Sequence, residues 1–387
     1  MTILYFGVVD WYYLRQRPQH MARELAARTR VVYAHPRTFL GSWRARHRLP
    51  AGALAAWRDD PEGEGRTLSL YEPLGGPRHR GDVLRSFSDR FFLGGLRREL
   101  RRRRLTPDLI WLGHPSHERY LEAFGNIPLI YDCMDDWGAF PDAGEVVAGE
   151  SRLIRRARWV LASSQKLADR LRAGGATVHL VPNGVEHERF RGAIDLPVAA
   201  GDRTDPRASR IALTIGTFGP WIDFELIGEI ARACPGWHFR LVGPIEADPP
   251  AGIPRADNLE WVGRRPYEEL PLMMATAAAA FLPFRLNSLT ASVDPVKVYE
   301  FLAAGLAVAA VPLPELAKFT SGVVVARTGA EFRVALETAR ELGATPSARR
   351  ILSDSVAGHS WAGRAASVLS LLQSVMDPES SRAFKGR

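Results

Sequence analysis

The segment DPVKVYEFLAAGLAVAAVP, residues 294–312, decides the fold of the region around it. It predicts a short helix followed directly by a buried strand. Asp294 is a suitable N-cap, because its carboxylate can accept from the free N–H groups of a first helical turn, and Pro295 suits the first helical position. Gly305 fits the helix C-terminus, and LAVAAV is typical of a parallel strand that is covered on both faces.

Lys297 and Glu300 share one face of that predicted helix, since they are three residues apart. A helix N-terminus with a lysine beside it suits a phosphate group. A carboxylate one turn further along suits the hydroxyl pair of a sugar. The segment therefore predicts a site for a nucleotide, one that carries a sugar.

Short apolar runs alternate with helical stretches along both halves of the chain. The runs are ILYFGVV, VVYAHP, DLIWLGHP, IPLIYDCM, WVLASS and TVHLVPN in the first half, and RIALTIGTF, HFRLVGP, LEWVGR and AAAAFLPF in the second. Helical stretches such as RPQHMARELAAR and FELIGEIARACP lie between them. This alternation predicts parallel sheets with helices on both faces.

The length of 387 residues fits two domains of ordinary size. The alternating pattern breaks in a polar stretch rich in glycine, proline and aspartate, as in linkers between domains. We expect a first α/β domain over 1–192, a linker over 193–209, a second α/β domain over 210–358, and a C-terminal crossover helix and tail over 359–387.

The composition excludes several classes of protein. A hydrophobic content of 46% and a charged content of 24% fit a soluble globular protein, and no segment is long and apolar enough for a membrane span. Cys133 and Cys234 lie far apart, so we expect buried free thiols in a reducing cytoplasm. No G-x-G-x-x-G or Walker sequence follows the first strand of either half, which disfavours dehydrogenases and P-loop enzymes.

The net charge of +8 is concentrated in the first half. The densest run lies on a helix predicted from Asp89, and its arginines are Arg97, Arg98, Arg101, Arg102, Arg103 and Arg104. A solvated helix face is the common alternative for such a run. The partner we expect is an anionic membrane surface at the inner face of the cell membrane. Nucleic acid is not expected, because no nucleic-acid-binding module accompanies the arginines.

Ligands of open α/β sheets bind beyond the carboxyl ends of the strands. In the second half, glycines at strand ends allow a ligand to approach the backbone, although ordinary turns also need them. The loop before Asp294 supplies hydroxyl and amide groups, which suit either a diphosphate or the capping of the loop's own helix. The candidate binding residues are Gly216, Phe218, Gly219, Gly243, Arg264, Asn287, Ser288, Thr290, Lys297 and Glu300.

Polar residues also follow strands in the first half. The candidates in and after the first loop are Asp10, Arg17 and His20. Asp132 and Asp135 follow a buried run, and either could act as a general base or stabilise a developing cation; a turn or cap role is the alternative. His114 and His117 stand at another strand end as weaker catalytic candidates. The acidic cluster lacks further ligands at metal-binding spacing, so we expect no metal.

Taken in order, these segments resemble glycosyltransferases of the two-Rossmann GT-B type, in particular the GT4-like group of bacterial enzymes. The segments that carry the resemblance are QRPQHMARELA, IYDCMDDW, LVPNGVEHERF, LVGP, EELPLMMATAAAAFLPF, DPVKVYEFLAAGLAVAAV and HSW. They extend over almost the whole chain.

The resemblance implies two Rossmann-like domains that face each other across a cleft, with a C-terminal helix crossing back to the first. The second domain would bind a nucleoside-diphosphate sugar, with Glu300 on the ribose and Lys297 on the diphosphate. The first would bind a glycan or lipid-linked acceptor, and Asp132 or Asp135 would face the transferred sugar. The implied activity is hexosyl transfer without metal or cofactor, in bacterial envelope or exopolysaccharide synthesis.

The sequence also departs from that family. Ser292 stands where GT4-type enzymes usually have a second glutamate, eight positions before the ribose-binding one. The segment FGPWIDF lacks the basic residue that many of these enzymes carry, so we expect Lys297 to carry more of the phosphate charge. A nucleotide-sugar epimerase and a catalytically silent glycan-binding protein are the alternatives, and the stereochemical outcome stays open.

Overall fold

The structure, a computed structural model, describes residues 1–35, 55–60, 65–73, 82–140, 144–196, 210–246 and 252–376. The chain divides into two compact units. One comprises Met1–Val181 with Arg364–Arg387, and the other comprises Pro182–Gly363. Most of the predicted linker, 197–209, and the end of the tail, 377–387, lie outside the described residues.

The first unit is built on one sheet with eight described strands. They are β1 (Thr2–Phe6), β2 (Arg30–Ala34), β3 (Ala55–Asp59), β4 (Thr67–Pro73), β5 (Leu109–Leu112), β6 (Leu129–Cys133), β7 (Trp159–Ala162) and β8 (Val178–Leu180). Their order is β3-β4-β2-β1-β5-β6-β7-β8, and every pair is parallel except β3 with β4. The strands of the centre are buried on both faces, as their continuous apolar runs predict.

Helices cover this sheet. They are α1 (Arg17–Ala26), α2 (Asp82–Arg102), α3 (Gly144–Arg156) and α4 (Gln165–Ala173), with 3-10 helices at Pro115–Phe124 and Trp137–Ala139. Helix α2 begins earlier than the predicted start at Asp89, and it buries Phe92, Leu96 and Leu100 in the core. Helix α4 starts at Ser164, whose hydroxyl accepts from the N–H of Leu167.

The second unit has one sheet with six described strands, all paired in parallel. They are β9 (Ile211–Ile215), β10 (His238–Val242), β11 (Leu259–Gly263), β12 (Ala279–Leu282), β13 (Val308–Ala310) and β14 (Val323–Val325). Their order is β11-β10-β9-β12-β13-β14. Strand β13 is fully buried, which confirms the strand predicted from LAVAAV.

The helices of the second unit follow the same sequence signals. They are α5 (His187–Arg191), α6 (Phe224–Ala233), α7 (Leu270–Ala275), α8 (Val296–Ala303), α9 (Gly329–Leu342), α10 (Pro346–Asp354) and α11 (Trp361–Met376). Short 3-10 helices lie at Gly192–Ile194, Tyr267–Glu269, Thr290–Ser292 and Pro314–Lys318. Side chains of Asp223, Thr328 and Thr345 cap α6, α9 and α10. The residues of α11 from Arg364 onwards belong to the first unit.

Two parallel α/β units are what the alternating runs predict, and the structure confirms them. Gly305 ends α8 with a φ of 73°, as predicted for a helix stop. Cys133 and Cys234 are buried free thiols. Within the described ranges, no helix is long and apolar enough to cross a membrane. The antiparallel pair β3–β4 is not among the predicted strands, because AAWRD and TLSLYEP are short and interrupted by polar residues.

Residues 182–196 pack within the second unit, although the sequence pattern places those up to 192 in the first domain. Val185 pairs with Ser360 in a parallel bridge. The Nε2 atom of His187 lies 3.0 Å from the carbonyl oxygen of Ser353. Phe190 is fully buried in the core of the same unit. These contacts come from distant parts of the chain, which a local pattern does not reveal.

Two adjacent glycines in α2 provide a matched test of this packing. A Cβ at Gly94 would meet no described atom within 4 Å, whereas a Cβ at Gly95 would lie 2.6 Å from the Tyr71 hydroxyl oxygen. Tyr71 is buried against Phe92 and has little room to move. We expect Gly94→Ala to raise the free energy of unfolding by about 0.5–1 kcal/mol through helix propensity. Gly95→Ala should lower it by about 1–3 kcal/mol through overpacking.

Urea denaturation of the two variants beside the wild type measures both values. Equal changes for Gly94→Ala and Gly95→Ala would contradict the packing of α2 on β4.

Candidate functional site

Neighbouring strands of the second sheet end on glycines whose backbones touch. The N–H of Gly216 donates to the carbonyl of Val242 at 2.9 Å, and the N–H of Gly243 donates to the carbonyl of Gly263 at 2.9 Å. Gly216 and Gly243 have φ values of 148° and 146°, where side chains are strained. A Cβ on Gly243 would lie 1.7 Å from the carbonyl oxygen of Gly216. At this edge of the sheet the strand ends therefore meet backbone to backbone, with no side chain between Gly216 and Gly243.

Aromatic side chains shape the loop that follows β9. Phe218 is buried, and its ring packs edge-on against Trp261 at 5.1 Å. A Cβ on Gly219 would lie 2.7 Å from the ring of Trp221. Arg264 directly follows β11 and is exposed at the carboxyl end of that strand. Phe218 thus holds the loop after β9 against β11.

The prediction that Asp294 caps α8 is wrong. Its carboxylate is 3% exposed and accepts from the backbone N–H of Asn183 at 2.7 Å, from the Tyr299 hydroxyl at 3.1 Å and from Nζ of Lys318 at 2.9 Å. Helix α8 begins directly after Pro295, and no described side chain caps it. The carboxylate is occupied by residues that pack on α8, so it does not cap the helix; within the first turn, the N–H of Val298 donates to the carbonyl of Pro295 at 3.1 Å.

Lys297 and Glu300 lie side by side on α8, as predicted. Nζ of Lys297 is 2.7 Å from Oε2 of Glu300. Glu300 is fully buried, and burial raises its pKa against the opposing effect of Lys297. The hydroxyl of Tyr267 lies 3.5 Å from Oε1. Glu300 is therefore a buried carboxylate held between the ammonium of Lys297 and the hydroxyl of Tyr267.

The loop between β12 and α8 is held by bonds within itself. The N–H of Thr290 donates to Oδ1 of Asn287 at 3.0 Å, and its hydroxyl accepts from the N–H of Asn287 at 3.1 Å. Thr290 is buried, whereas Asn287 and Ser288 are exposed. Ser292 is 1% exposed and brings no carboxylate to this loop. Of the predicted donors here, Asn287 and Ser288 are accessible, and Thr290 stabilises the loop.

These groups gather at one edge of the second sheet. The glycines end β9, β10 and β11, and the loop with Asn287 follows β12, so parallel pairing puts them all at the carboxyl edge. Sequence reasoning missed two residues near Glu300, Tyr267 and Glu186. The negative charge of Glu186 contributes to the raised pKa of Glu300. The only feature of the sequence that could have pointed to Tyr267 is its position shortly after the end of β11. This edge is the candidate ligand site of the second unit.

In the first unit, Arg17 and Asp132 form a buried two-point ion pair. Nη2 of Arg17 lies 2.8 Å from Oδ1 of Asp132, and Nε lies 3.1 Å from Oδ2. Nη1 donates to the carbonyl of Val181 at 2.8 Å. The two residues are 3% and 0% exposed. Asp132 is therefore occupied by Arg17, and the pair joins α1 to the ends of β6 and β8.

Asp135 stands in a different environment three residues further along. It is half-buried, and burial raises the pKa of its carboxyl to about 7, with Arg17 opposing and Asp136 adding to the rise. A carboxyl group that titrates near neutral pH suits general base catalysis. Asp135 rather than Asp132 has the chemistry of a proton acceptor.

A buried network lies behind Asp135. Arg170 on α4 binds Glu150 on α3 through two bonds of 2.7 and 3.0 Å, and the Tyr131 hydroxyl donates to Glu150 at 2.6 Å. Nε of Arg170 also lies 3.7 Å from the carboxylate of Asp136. The network fixes the start of the acidic segment. Sequence reasoning missed it, because Glu150 and Arg170 sit on helices with no motif to mark them.

The remaining candidates of the first unit lie around α1. Oδ1 of Asp10 accepts from the N–H of Tyr12 at 2.9 Å, which closes its own turn after β1. His20 is 2% exposed inside α1. Arg17 is engaged by Asp132. Among the described residues there is no group of three or more metal-ligating side chains.

His114 lies at the end of β5 and caps the 3-10 helix Pro115–Phe124. Its Nδ1 accepts from the N–H of Ser116 at 3.0 Å. Burial, with a contribution from Arg119, lowers the pKa of the imidazole to about 4. The ring is therefore neutral near pH 7.

The arginine run ends α2 on the surface of the first unit. Its exposed members are Arg97, Arg98, Arg101, Arg102 and Arg104. Arg103 is different, since its guanidinium packs over the ring of Trp57 at 4.4 Å and pairs with Glu99. The surface is thus basic, and Arg103 anchors it.

Solved structures have the same fold. The chain matches HepE of Anabaena, solved with UDP and glucose, at a TM-score of 0.64 and 13% identity over 96% of this chain and 99% of that one. It matches the sucrose-phosphate synthase of Thermosynechococcus elongatus at 0.66 and 15% identity, over 97% and 98%. At such identities the likeness concerns the fold. The chain has the GT-B fold, with two Rossmann-like domains.

A curated relative adds a closer match in sequence. The chain is 30% identical over 229 residues to a putative teichuronic acid biosynthesis glycosyltransferase of Bacillus subtilis, TuaH. The matched stretch covers 54% of this chain and 56% of that protein, a little over half of each. No protein-family model matches the chain.

The raised pKa of Asp135 makes stability depend on pH in a defined direction. Between about pH 4 and pH 7 the folded state keeps this proton and the unfolded state has lost it, so stability falls as pH rises through that interval. Asp135→Asn removes the dependence. We expect the free energy of unfolding of the variant, relative to that of the wild type, to rise by about 1.4 kcal/mol per pH unit in that interval. Above pH 7 the difference should rise no further.

Denaturant unfolding of both proteins at pH 4, 5, 6, 7 and 8 measures this difference. A difference that stays constant with pH would contradict the proton affinity assigned to Asp135.

Proposed function

We propose that the protein is a glycosyltransferase. It would move a hexosyl group from a nucleoside-diphosphate sugar to a glycan or lipid-linked acceptor, in synthesis of a bacterial envelope polysaccharide. The observation that carries the proposal is the Lys297–Glu300 pair near the start of α8, which no described side chain caps. The strands of the same sheet edge end in glycines, which bring no side chains to it. The UDP and glucose in the HepE structure and the teichuronic acid pathway in the name of TuaH support it.

In this proposal the second domain holds the donor. Nζ of Lys297 and the N–H groups of α8 bind the diphosphate, because a cation and a helix N-terminus both favour negative charge. Glu300 accepts from the ribose hydroxyls. The exposed Asn287 and Ser288 add donors near the phosphates, and Arg264 borders the base.

Catalysis in this proposal needs no metal and no cofactor. When the bond between the sugar and the diphosphate breaks, negative charge grows on the leaving phosphate, and Lys297 with the α8 N-terminus stabilises it. Asp135 takes the proton of the acceptor hydroxyl as the new glycosidic bond forms. Its pKa near 7 suits that step, whereas Asp132 is occupied by Arg17.

Nucleotide binding tests the donor site. UDP is the first probe, followed by a thermal-shift panel of nucleoside diphosphates and their sugars. We expect Glu300→Gln to weaken UDP binding about tenfold, or about 1.4 kcal/mol, because an amide is a poorer acceptor for two hydroxyls. With 2′,3′-dideoxy-UDP, the wild type and the variant should bind equally weakly.

Titration calorimetry measures these affinities, and Glu341→Gln, at an exposed site on α9, is the control. Undiminished UDP binding by Glu300→Gln would place the ribose elsewhere.

Turnover distinguishes the proposed reaction from its rivals. A transferase releases nucleoside diphosphate in proportion to the glycosylated acceptor that forms. Conversion of the nucleotide sugar into another nucleotide sugar without acceptor would indicate an epimerase. Binding with neither reaction would indicate a catalytically silent protein.

We also propose that the exposed arginines of α2 attract an anionic membrane surface, which would hold the protein at the cytoplasmic face. Each arginine near such a surface contributes about 1 kcal/mol. Replacing Arg98, Arg101 and Arg104 by Gln should therefore weaken binding to phosphatidylglycerol vesicles roughly 100-fold at low salt.

Sedimentation with vesicles measures this binding. The matched control replaces the exposed Arg327, Arg333 and Arg350 of the second unit, which removes the same charge from elsewhere. Equal losses for the two triple variants would leave only a general effect of net charge, and the proposed surface would be wrong.

A further inference from the structure

His114 uses one ring nitrogen as a helix cap, and this fixes where its proton lies. Nδ1 accepts from the N–H of Ser116 at 3.0 Å, and the Ser116 hydroxyl oxygen is 2.7 Å from the same nitrogen. A ring nitrogen that accepts a backbone N–H carries no proton of its own. The neutral imidazole therefore holds its proton on Nε2.

The ring is also fixed in position beside the acidic segment. Its centroid lies 4.3 Å from that of Trp137, edge to face. The preceding Gly113 sits so close to the chain after β6 that an added Cβ would lie 2.8 Å from Met134. Strands β5 and β6 are parallel neighbours, so His114 and Asp135 follow adjacent strand ends.

The second nitrogen of the ring is a neutral donor. Burial lowers the pKa of His114 to about 4, so Nε2 keeps a single proton and the ring carries no charge at neutral pH. None of the described residues accepts a hydrogen bond from Nε2, and the side chain is only half-buried.

A cap alone does not explain a histidine at this position. Asparagine, aspartate and serine are the residues that cap helix N-termini best. Each offers the acceptor that Ser116 needs, and none offers a donor placed like Nε2. Compared with these residues, the histidine adds a donor to the cap.

We propose that His114 is a further substrate-binding residue, whose Nε2–H donates to a hydroxyl oxygen of a sugar bound beside Asp135. This inference rests on the proposed glycosyl transfer. Two sugars in that reaction carry such hydroxyls, the transferred sugar and the acceptor, and they share the chemistry that Nε2 recognises. A neutral donor suits this task, because it binds an uncharged hydroxyl without taking part in proton transfer.

The variant His114→Asn separates the cap from the donor. Its Oδ1 can accept from Ser116, but it leaves nothing at the position of Nε2. We expect an unfolding midpoint equal to or above that of the wild type, unchanged affinity for UDP, and turnover at least tenfold lower. His114→Ala should lose both stability and turnover. His114→Gln, whose amide N–H reaches towards the position of Nε2, should recover part of the turnover.

Two turnover assays identify the sugar. The probe is UDP-glucose, or the nucleotide sugar with the largest thermal shift, with water or a panel of methyl glycosides as acceptor. If His114→Asn slows hydrolysis and transfer alike, the hydroxyl belongs to the transferred sugar. If it slows transfer alone and raises KM for the glycoside, the hydroxyl belongs to the acceptor.

Wild-type rates of both reactions in a stably folded His114→Asn would overturn the inference. If that variant did not fold, His114→Gln would decide, because turnover as low as that of His114→Ala would overturn it as well. A wild-type protein that turns over no nucleotide sugar would contradict the proposed transfer itself, which is a separate outcome.

Discussion

The contacts of the Asp294 carboxylate are those on which the start of α8 in the second unit depends. A buried charge is costly unless it is paired, and this one is satisfied by the backbone of Asn183, the hydroxyl of Tyr299 and the ammonium of Lys318. These partners come from three segments, so the single carboxylate fixes the start of α8 in the unit. It does so without capping α8, whose first two turns carry Lys297 and Glu300. In the proposed function, this leaves the start of α8 available to an anion.

In the first unit, too, a buried carboxylate is paired, by the ion pair between Arg17 and Asp132. Arg17 binds Asp132 at the end of β6, and burial keeps a second carboxyl nearby, that of Asp135, in its protonated form at moderately acid pH. In each unit one buried acid has a structural part, and the proposed function gives the chemistry to an acid near it. The proposed division of labour follows from that difference, with phosphate and ribose recognised at α8 and the proton accepted at Asp135.

Much of the fold follows from the sequence, because apolar runs at regular spacing require a covered parallel sheet. Gly305, β13 and the Lys297–Glu300 pair are local features, and local reasoning predicts them. The partners of Asp294 are not local: Asn183 and Lys318 lie far from it in the chain, so its good N-cap chemistry was misleading. Asp132 and Asp135 look alike in sequence, and only the structure shows that Arg17 pairs with Asp132 while burial raises the pKa of Asp135. The contacts of His114 could not be predicted from the sequence either, because its capping bond with Ser116 and its ring contact with Trp137 are seen only in the structure.

Hydrogen exchange with and without UDP tests the central claim most directly, because it reports where the nucleotide touches the backbone. The proposed donor site predicts slower exchange in peptides that cover 216–219, 243–246 and 287–300, which contain the strand-end glycines and the start of α8. Exchange that is unchanged in these segments at saturating UDP, or slowed only in the first unit, would contradict it.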